Sequence, residues 1–114
     1  MNFKKNSFDV LALIYAHFPA DVKIKLYSNL AELVKPNGYL ILEAFSKSHL
    51  EFRKKNPAVG GPGDIEMLFS KKEIKDAFKE FEIIKLEEVQ IELKEGNFHN
   101  GLGSVIRFIG KKLA

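Results

Sequence analysis

Residues Phe8 to Phe18, FDVLALIYAHF, are apolar on both alternating faces over a strand-like length. Such a run suits a strand buried on both sides, as in a parallel sheet covered by helices. A second pattern follows Pro19-Ala20-Asp21: Val22, Leu26, Tyr27, Leu30, Leu33 and Val34 recur at three- and four-residue steps, one face of a helix. Lys35-Pro36-Asn37-Gly38 closes that helix with a cation, a breaker and a turn glycine. Tyr39 to Phe45, YLILEAF, then reads as a second apolar strand. The three segments make a strand–helix–strand unit, whose crossover is expected to be right-handed.

At 114 residues, with no repeat and no low-complexity tract, one domain spanning residues 1–114 is the expectation. The absence of cysteine excludes a disulfide scaffold, a thiolate nucleophile and any Cys-ligated metal. A net charge of +3 is too small an excess to argue for nucleic acid as partner. The longest apolar run, Val10 to Ala16, is far shorter than the roughly 20 residues that cross a bilayer. The start, Met1 to Ser7, has two lysines but no small-residue cleavage site after an apolar core, so neither a membrane nor a signal peptide is expected and the setting reads as reducing and cytoplasmic.

Ser46 to Asp64 is polar, basic at Lys47, Arg53, Lys54 and Lys55, and broken by Pro57 and Gly60-Gly61-Pro62-Gly63. A stretch of that length without periodicity is more often a lid than a connector. Ser70 with Glu73 forms a capping box, and Phe69 with Ile74 a hydrophobic staple, which predicts a helix over Lys71–Lys79. Ile74, Ala77, Phe78 and Phe81 are its buried stripe. Farther on, Ile84 and Leu86 alternate in one phase and Val89, Ile91 and Leu93 in the other, which predicts a bulge at Glu87-Glu88. Residues 95–101 read as a loop, and Ser104 to Ile109 as a returning strand. The order β-α-β-lid-α-β-β predicts an α/β fold, with two parallel strands and an antiparallel C-terminal hairpin in one sheet.

His17, His49 and His99 lack ligand-like spacing, so no metal is expected. No G-x-S-x-G elbow occurs, which leaves hydrolysis by a serine nucleophile unsupported. The basic residues near Arg53 have one aromatic among them, Phe52, and read as a solvated lid rather than an RNA platform. Glu43, inside a strand, needs a partner if buried: it is either salt-bridged within the sheet or turned to a pocket. Arg107 interrupts the last strand, and a cross-strand pair with Glu92 or Glu88 is favoured over an anionic ligand.

Taken in order, FDVLALIYAHFP, a helix, LVKPNGYLILEAF and a hairpin resemble the C-terminal half of a class I S-adenosyl-L-methionine (AdoMet)-dependent methyltransferase. KPNG resembles the turn that family places before its fifth strand. Gly60-Gly61-Pro62-Gly63 and residues 95–101, EGNFHNG, resemble a tellurite-resistance or thiopurine-type subgroup. The resemblance implies a partial Rossmann-like sheet: Phe8–His17 as fourth strand, Tyr39–Phe45 as fifth, Glu82–Lys94 as sixth and Ser104–Gly110 as seventh, in spatial order 4-5-7-6. It also implies a small-molecule substrate, Ala16 and His17 beside the cofactor, and Phe18, Gly60, Gly61 and His99 around the substrate. For His17 and His99 the residues alone allow plainer roles, a cap on the sheet and a solvated loop. No catalytic acid or base is expected, because a sulfonium methyl leaves a neutral thioether and transfer depends on positioning and dryness.

The glycine-rich turn after a first strand, and the acidic residue that ends a second strand in that family, have no counterpart here. The Gly60–Gly63 run follows no strand directly and opens no helix. Half of the crevice at the point where strand order reverses is therefore missing, and weak or no activity is expected of this chain alone. Strand Phe8–His17 would present an apolar edge, a template for association. Expected partners are a second copy or a separate N-terminal half, and the alternative to the enzyme reading is a non-catalytic self-association module built on that edge.

Overall fold

A computed structural model describes residues 4–62, 65–94 and 100–114. The elements are β1 (Phe8–Ile14), α1 (Ala20–Ala31), β2 (Val34–Phe45), α2 (His49–Lys55), α3 (Lys71–Ala77), β3 (Phe81–Lys94) and β4 (Asn100–Lys112), with short 3-10 turns at Pro57–Val59 and Ile65–Met67. The four strands form one sheet in the order β1-β2-β4-β3. β1 and β2 run parallel, while β4 is antiparallel to both its neighbours. The mixed sheet with a C-terminal hairpin is thus present.

Several boundaries differ from the sequence reading, each for a local reason. β1 ends at Ile14 instead of His17 because Tyr15 turns into the left-handed region (φ 52°). α1 ends three residues earlier than its apolar stripe, and the fully buried Val34 opens β2 instead of closing the helix. Lys35-Pro36-Asn37-Gly38 is a wide bulge inside β2: Phe8 pairs with Val34 and Val10 with Tyr39, so one residue of β1 spans four of β2. The stripe of α1 is also shifted by one position. Val22 is 38% exposed, whereas Lys23 joins Tyr27 and Leu30 in the interior at 2%.

The stretch expected to be a lid-like loop carries a helix, α2, over His49–Lys55. His49 and Val59 are buried beneath this segment and anchor it. The capping box at Ser70 and Glu73 is formed in both directions, and Phe69 and Ile74 share one apolar cluster. α3 stops at Ala77, and Phe81 reaches the core from the first position of β3.

The phase switch in β3 has a different origin from the expected bulge at Glu87-Glu88. Pairing with β4 is regular from Lys85 onward, and the extra residue is Ile84, between Ile83↔Gly110 and Lys85↔Ile109. The switch arises because the sheet is covered on different faces at its two ends. Leu86 packs with Leu40, Leu42 and Phe108 against α1 and α3; Val89, Ile91 and Leu93 pack with Phe45 and Val105 on the opposite face, beneath Leu50 of α2 and Val59. A strand that crosses from one cover to the other must change its apolar phase without any break in the ladder.

Among the described residues nothing covers that opposite face over the rest of the sheet. Cross-strand register aligns Val10 with Tyr39 and Lys111, Ala12 with Ile41 and Ile109, and Ile14 with Glu43 and Arg107. Val10 (52%), Ile14 (54%), Tyr39 and Ile41 all stand exposed there.

Candidate functional site at the carboxyl ends of the parallel strands

Ligands of open α/β sheets bind beyond the carboxyl ends of the parallel strands. In this chain β1 and β2 end beside one another, and the residues that follow them form an aromatic cluster. The Phe45 ring stacks on His49 at 4.1 Å and on His17 at 5.6 Å, with Tyr15 at 4.9 Å. Gly60 and Gly61 close over it. The His49 Nε2 hydrogen-bonds the Gly60 carbonyl at 3.0 Å. A Cβ on Gly61 would meet Phe45 at 3.0 Å and the His49 Nε2 at 3.1 Å, so only glycine seats there without displacing a ring. The structure therefore brings His17, Gly60 and Gly61 to one place.

The polar groups of this cluster are committed to one another. The Phe45 N–H donates to the His17 Nε2 at 3.3 Å, which leaves Nδ1 as the protonated nitrogen, 3.1 Å from the Met67 carbonyl. Burial holds the His17 pKa below the usual imidazole value; the Met67 carbonyl opposes that shift, while Lys23 and His49 reinforce it. The Ala16 carbonyl accepts from the Tyr27 hydroxyl. Phe18 turns the other way, its ring edge-on to Tyr27 at 5.5 Å within the α1-side core. His99, with Gly63 and Asp64, lies outside the described residues.

His49 is the site residue that spacing did not single out. It is fully buried, its Nδ1 accepts from the Ser104 N–H at 3.1 Å, and it joins α2, β4 and the Gly60 turn. A lone histidine in a basic stretch carries no signal of burial, so nothing in the sequence marks it. Glu43 and Arg107 resolve together. Arg107 donates through Nε to the Glu43 carboxylate at 2.6 Å, and the Tyr15 hydroxyl donates to the other oxygen at 2.6 Å. The partner of Arg107 is thus on β2, directly opposite in register, and not Glu92 or Glu88. That hydrogen bond raises the Arg107 pKa above its ordinary value.

The His17 environment gives a pH dependence. Its folded pKa lies below that of the unfolded chain, about 6.5, so between the two values the unfolded chain binds the extra proton. Stability is then complete above about pH 6.5 and declines as pH falls toward the lowered value. A series of urea midpoints is expected to show this decline below about pH 6.5, and His17→Asn to flatten it. An unchanged slope in the variant would refute the assignment.

The fold defines a class. No family model and no curated relative matches the sequence; solved structures do. A SAM-dependent methyltransferase from Methanosarcina mazei superposes with a TM-score of 0.70 at 20% identity, over 99% of this chain and 63% of its own. Another from Anabaena variabilis gives 0.64 at 16%, over 90% and 48%, and one from Thermotoga maritima 0.62 at 18%, over 98% and 59%. The chain has the class I fold of the SAM-dependent methyltransferases, and spans about half to two thirds of the length of these three. Among the described residues no helix is long and apolar enough to cross a membrane, and no group of three or more His, Asp or Glu could hold a metal ion.

AdoMet is the cofactor this fold implies, and the described residues do not fit it by themselves. The Ala16 carbonyl and both His17 nitrogens already have partners, and Gly61 abuts the Phe45 and His49 rings. These residues can form one wall of a crevice. They offer no turn of free backbone N–H groups and no acidic side chain for ribose hydroxyls.

Proposed function

We propose that this chain forms the carboxyl-terminal portion of an AdoMet-dependent methyltransferase acting on a small molecule, and that it does not hold the cofactor alone. The observation that carries this reading is the bare half of the sheet. β1 is an edge strand, and the apolar residues Val10, Ile14, Tyr39 and Ile41 beside that edge are uncovered, while α1 and α3 cover the opposite face. Exposed apolar sheet faces of this kind mark docking surfaces. Helices and strands supplying the glycine-rich turn would cover this face and pair with β1. Ala16 and His17 then border the methyl-donor end of the crevice, and Phe18, Gly60, Gly61 and His99 the acceptor side, through shape and exclusion of water.

Calorimetric titration of AdoMet into the 114-residue chain is expected to give no saturable heat at micromolar concentrations. Tight binding to the chain alone would overturn the reading. The unpaired β1 edge also favours a second reading, a non-catalytic self-association module. Light scattering separates the two: a stable dimer indifferent to AdoMet supports the module, and a monomer counts against it.

A further inference from the structure

The Phe45 ring carries two histidines, and each is fixed between a backbone donor and a backbone acceptor. The His49 Nδ1 accepts from the Ser104 N–H at 3.1 Å, so the ring proton sits on Nε2, which donates to the Gly60 carbonyl at 3.0 Å. His17 repeats the pattern, Nε2 accepting from the Phe45 N–H and Nδ1 donating to the Met67 carbonyl. Both arrangements require a neutral imidazole. An imidazolium has two donors and no acceptor, so a second proton on His49 would meet the Ser104 N–H head-on.

Something must then move, and the packing decides what. Ser104 is held in β4, paired with Gln90 and with its carbonyl accepting from the Ser46 N–H. The His49 ring has no room to turn in place: Phe45 stacks on it at 4.1 Å, and a Cβ on Gly103 would stand 2.9 Å from its Cε1. The two turns that close over Phe45 are held unequally. At Met67 the His17 bond is reinforced by Lys23, which bonds the Glu66 and Leu68 carbonyls on either side. Gly60 and Gly61, at φ 70° and 82°, follow the fully buried Val59 and are bonded to the cluster through His49. The Gly60 side is therefore the one that yields.

We propose that His49 is an acid-operated catch: on taking a proton its ring withdraws from Ser104 and carries the Gly60–Gly61 turn off the Phe45 ring, with Val59 as pivot and the sheet intact. Among the described residues, the titratable and charged groups around the pair are Lys23 of α1 beside His17, Lys47 ahead of α2, Tyr15 after β1 and Glu88 of β3 behind the Ser104 hydroxyl. Lys23 and Lys47 are bonded to Glu73, and Tyr15 to Glu43. Each histidine opposes a proton on the other, while Glu88, 3.5 Å from that hydroxyl, favours one on His49. The catch does not depend on the methyltransferase reading, since it concerns whether the turn moves and not what it covers.

The test is an NMR titration of the whole wild-type chain from neutral pH into the acid range. Below about pH 6.5, the ordinary imidazole value, His49 is expected to take its proton while the far-ultraviolet circular dichroism stays unchanged. The nuclear Overhauser contacts of Gly61 with the Phe45 ring should vanish in the same step. Protection of the Ser104 amide against exchange should fall by up to about tenfold per pH unit, one proton being linked to the opening. Gly61 contacts that persist beside a protonated His49, or a His49 that stays neutral until the sheet itself unfolds, would overturn the proposal. His49→Gln offers a donor and an acceptor without titrating, and should keep those contacts throughout; acid release in this variant would equally overturn it. If the variant does not fold, the wild-type titration decides alone.

Discussion

Gly38→Ala is expected to lower stability by about 3 kcal/mol, at the upper end of overpacking costs. The reason is proximity and not a special dihedral angle. A Cβ at this position would stand 2.7 Å from the Asp9 carbonyl oxygen, 2.9 Å from a Val34 methyl and 3.0 Å from the Lys35 carbonyl. Two of the three obstacles are backbone, which cannot swing aside. Relief requires β1 to move off β2 where the ladder resumes at Val10↔Tyr39. The drop is read from urea denaturation, with loss of protection at the β1 amides by hydrogen exchange. Asn37→Ala is the control. Its left-handed φ of 69° makes alanine cost about 1 kcal/mol there, without a clash. Equal effects at the two positions would show that the turn, and not the contact with β1, sets the requirement for glycine.

Lys23→Met should cost a similar amount, about 3 kcal/mol, although it exchanges a charge for a thioether in an apolar helix face. The Lys23 ammonium donates to the Glu66 carbonyl at 2.7 Å, the Leu68 carbonyl at 2.9 Å and the Glu73 carboxylate at 3.0 Å, and lies 4.7 Å from the centre of the Phe69 ring. Methionine fills the stem's volume and supplies none of those donors, so the carbonyls of the 66–68 turn lose their tie to α1. Burial works to raise the Glu73 carboxyl, but its bonds to Lys23 and Lys47 outweigh that and hold it below the usual carboxylate value. Lys23→Met should therefore also move the Glu73 titration upward, which carboxyl NMR can follow. A stable variant with an unmoved Glu73 would show that the buried ammonium contributes little.

These two residues also mark where reading the chain succeeds and where it stops. KPNG stands out because proline and glycine constrain backbone directly, so a break at 35–38 is legible while its conversion into a bulge is not. The bulge depends on Asp9, which is remote in sequence. Lys23 is illegible for the same reason. A lysine one step from an apolar stripe reads as solvent-facing until the 66–73 segment folds across it and offers three acceptors. The capping box at Ser70, a contact within four residues, was fully readable. The parallel pair, the hairpin and the four-strand sheet follow from apolar runs and their separations. The phase change in β3 was visible, but its cause was not, because alternation reports which face is buried and not what covers it. Among site residues, His17, Gly60 and Gly61 gather as a group, whereas His49, buried at their centre, carries no local mark.

The order β1-β2-β4-β3 places the last strand of the sequence in an interior slot. Its thirteen residues supply the inner edge for both β2 and β3, and Lys112, at its end, donates to the Ala31 and Val34 carbonyls where α1 gives way to β2. During synthesis, then, β1, α1 and β2 leave the ribosome with a half-made sheet that stays open on the β2 side until β4 has emerged. The gap between β2 and β3 is filled by a segment inserted like a keystone, and any chaperone that attends this chain has the whole interval from Phe45 to Asn100 in which to act.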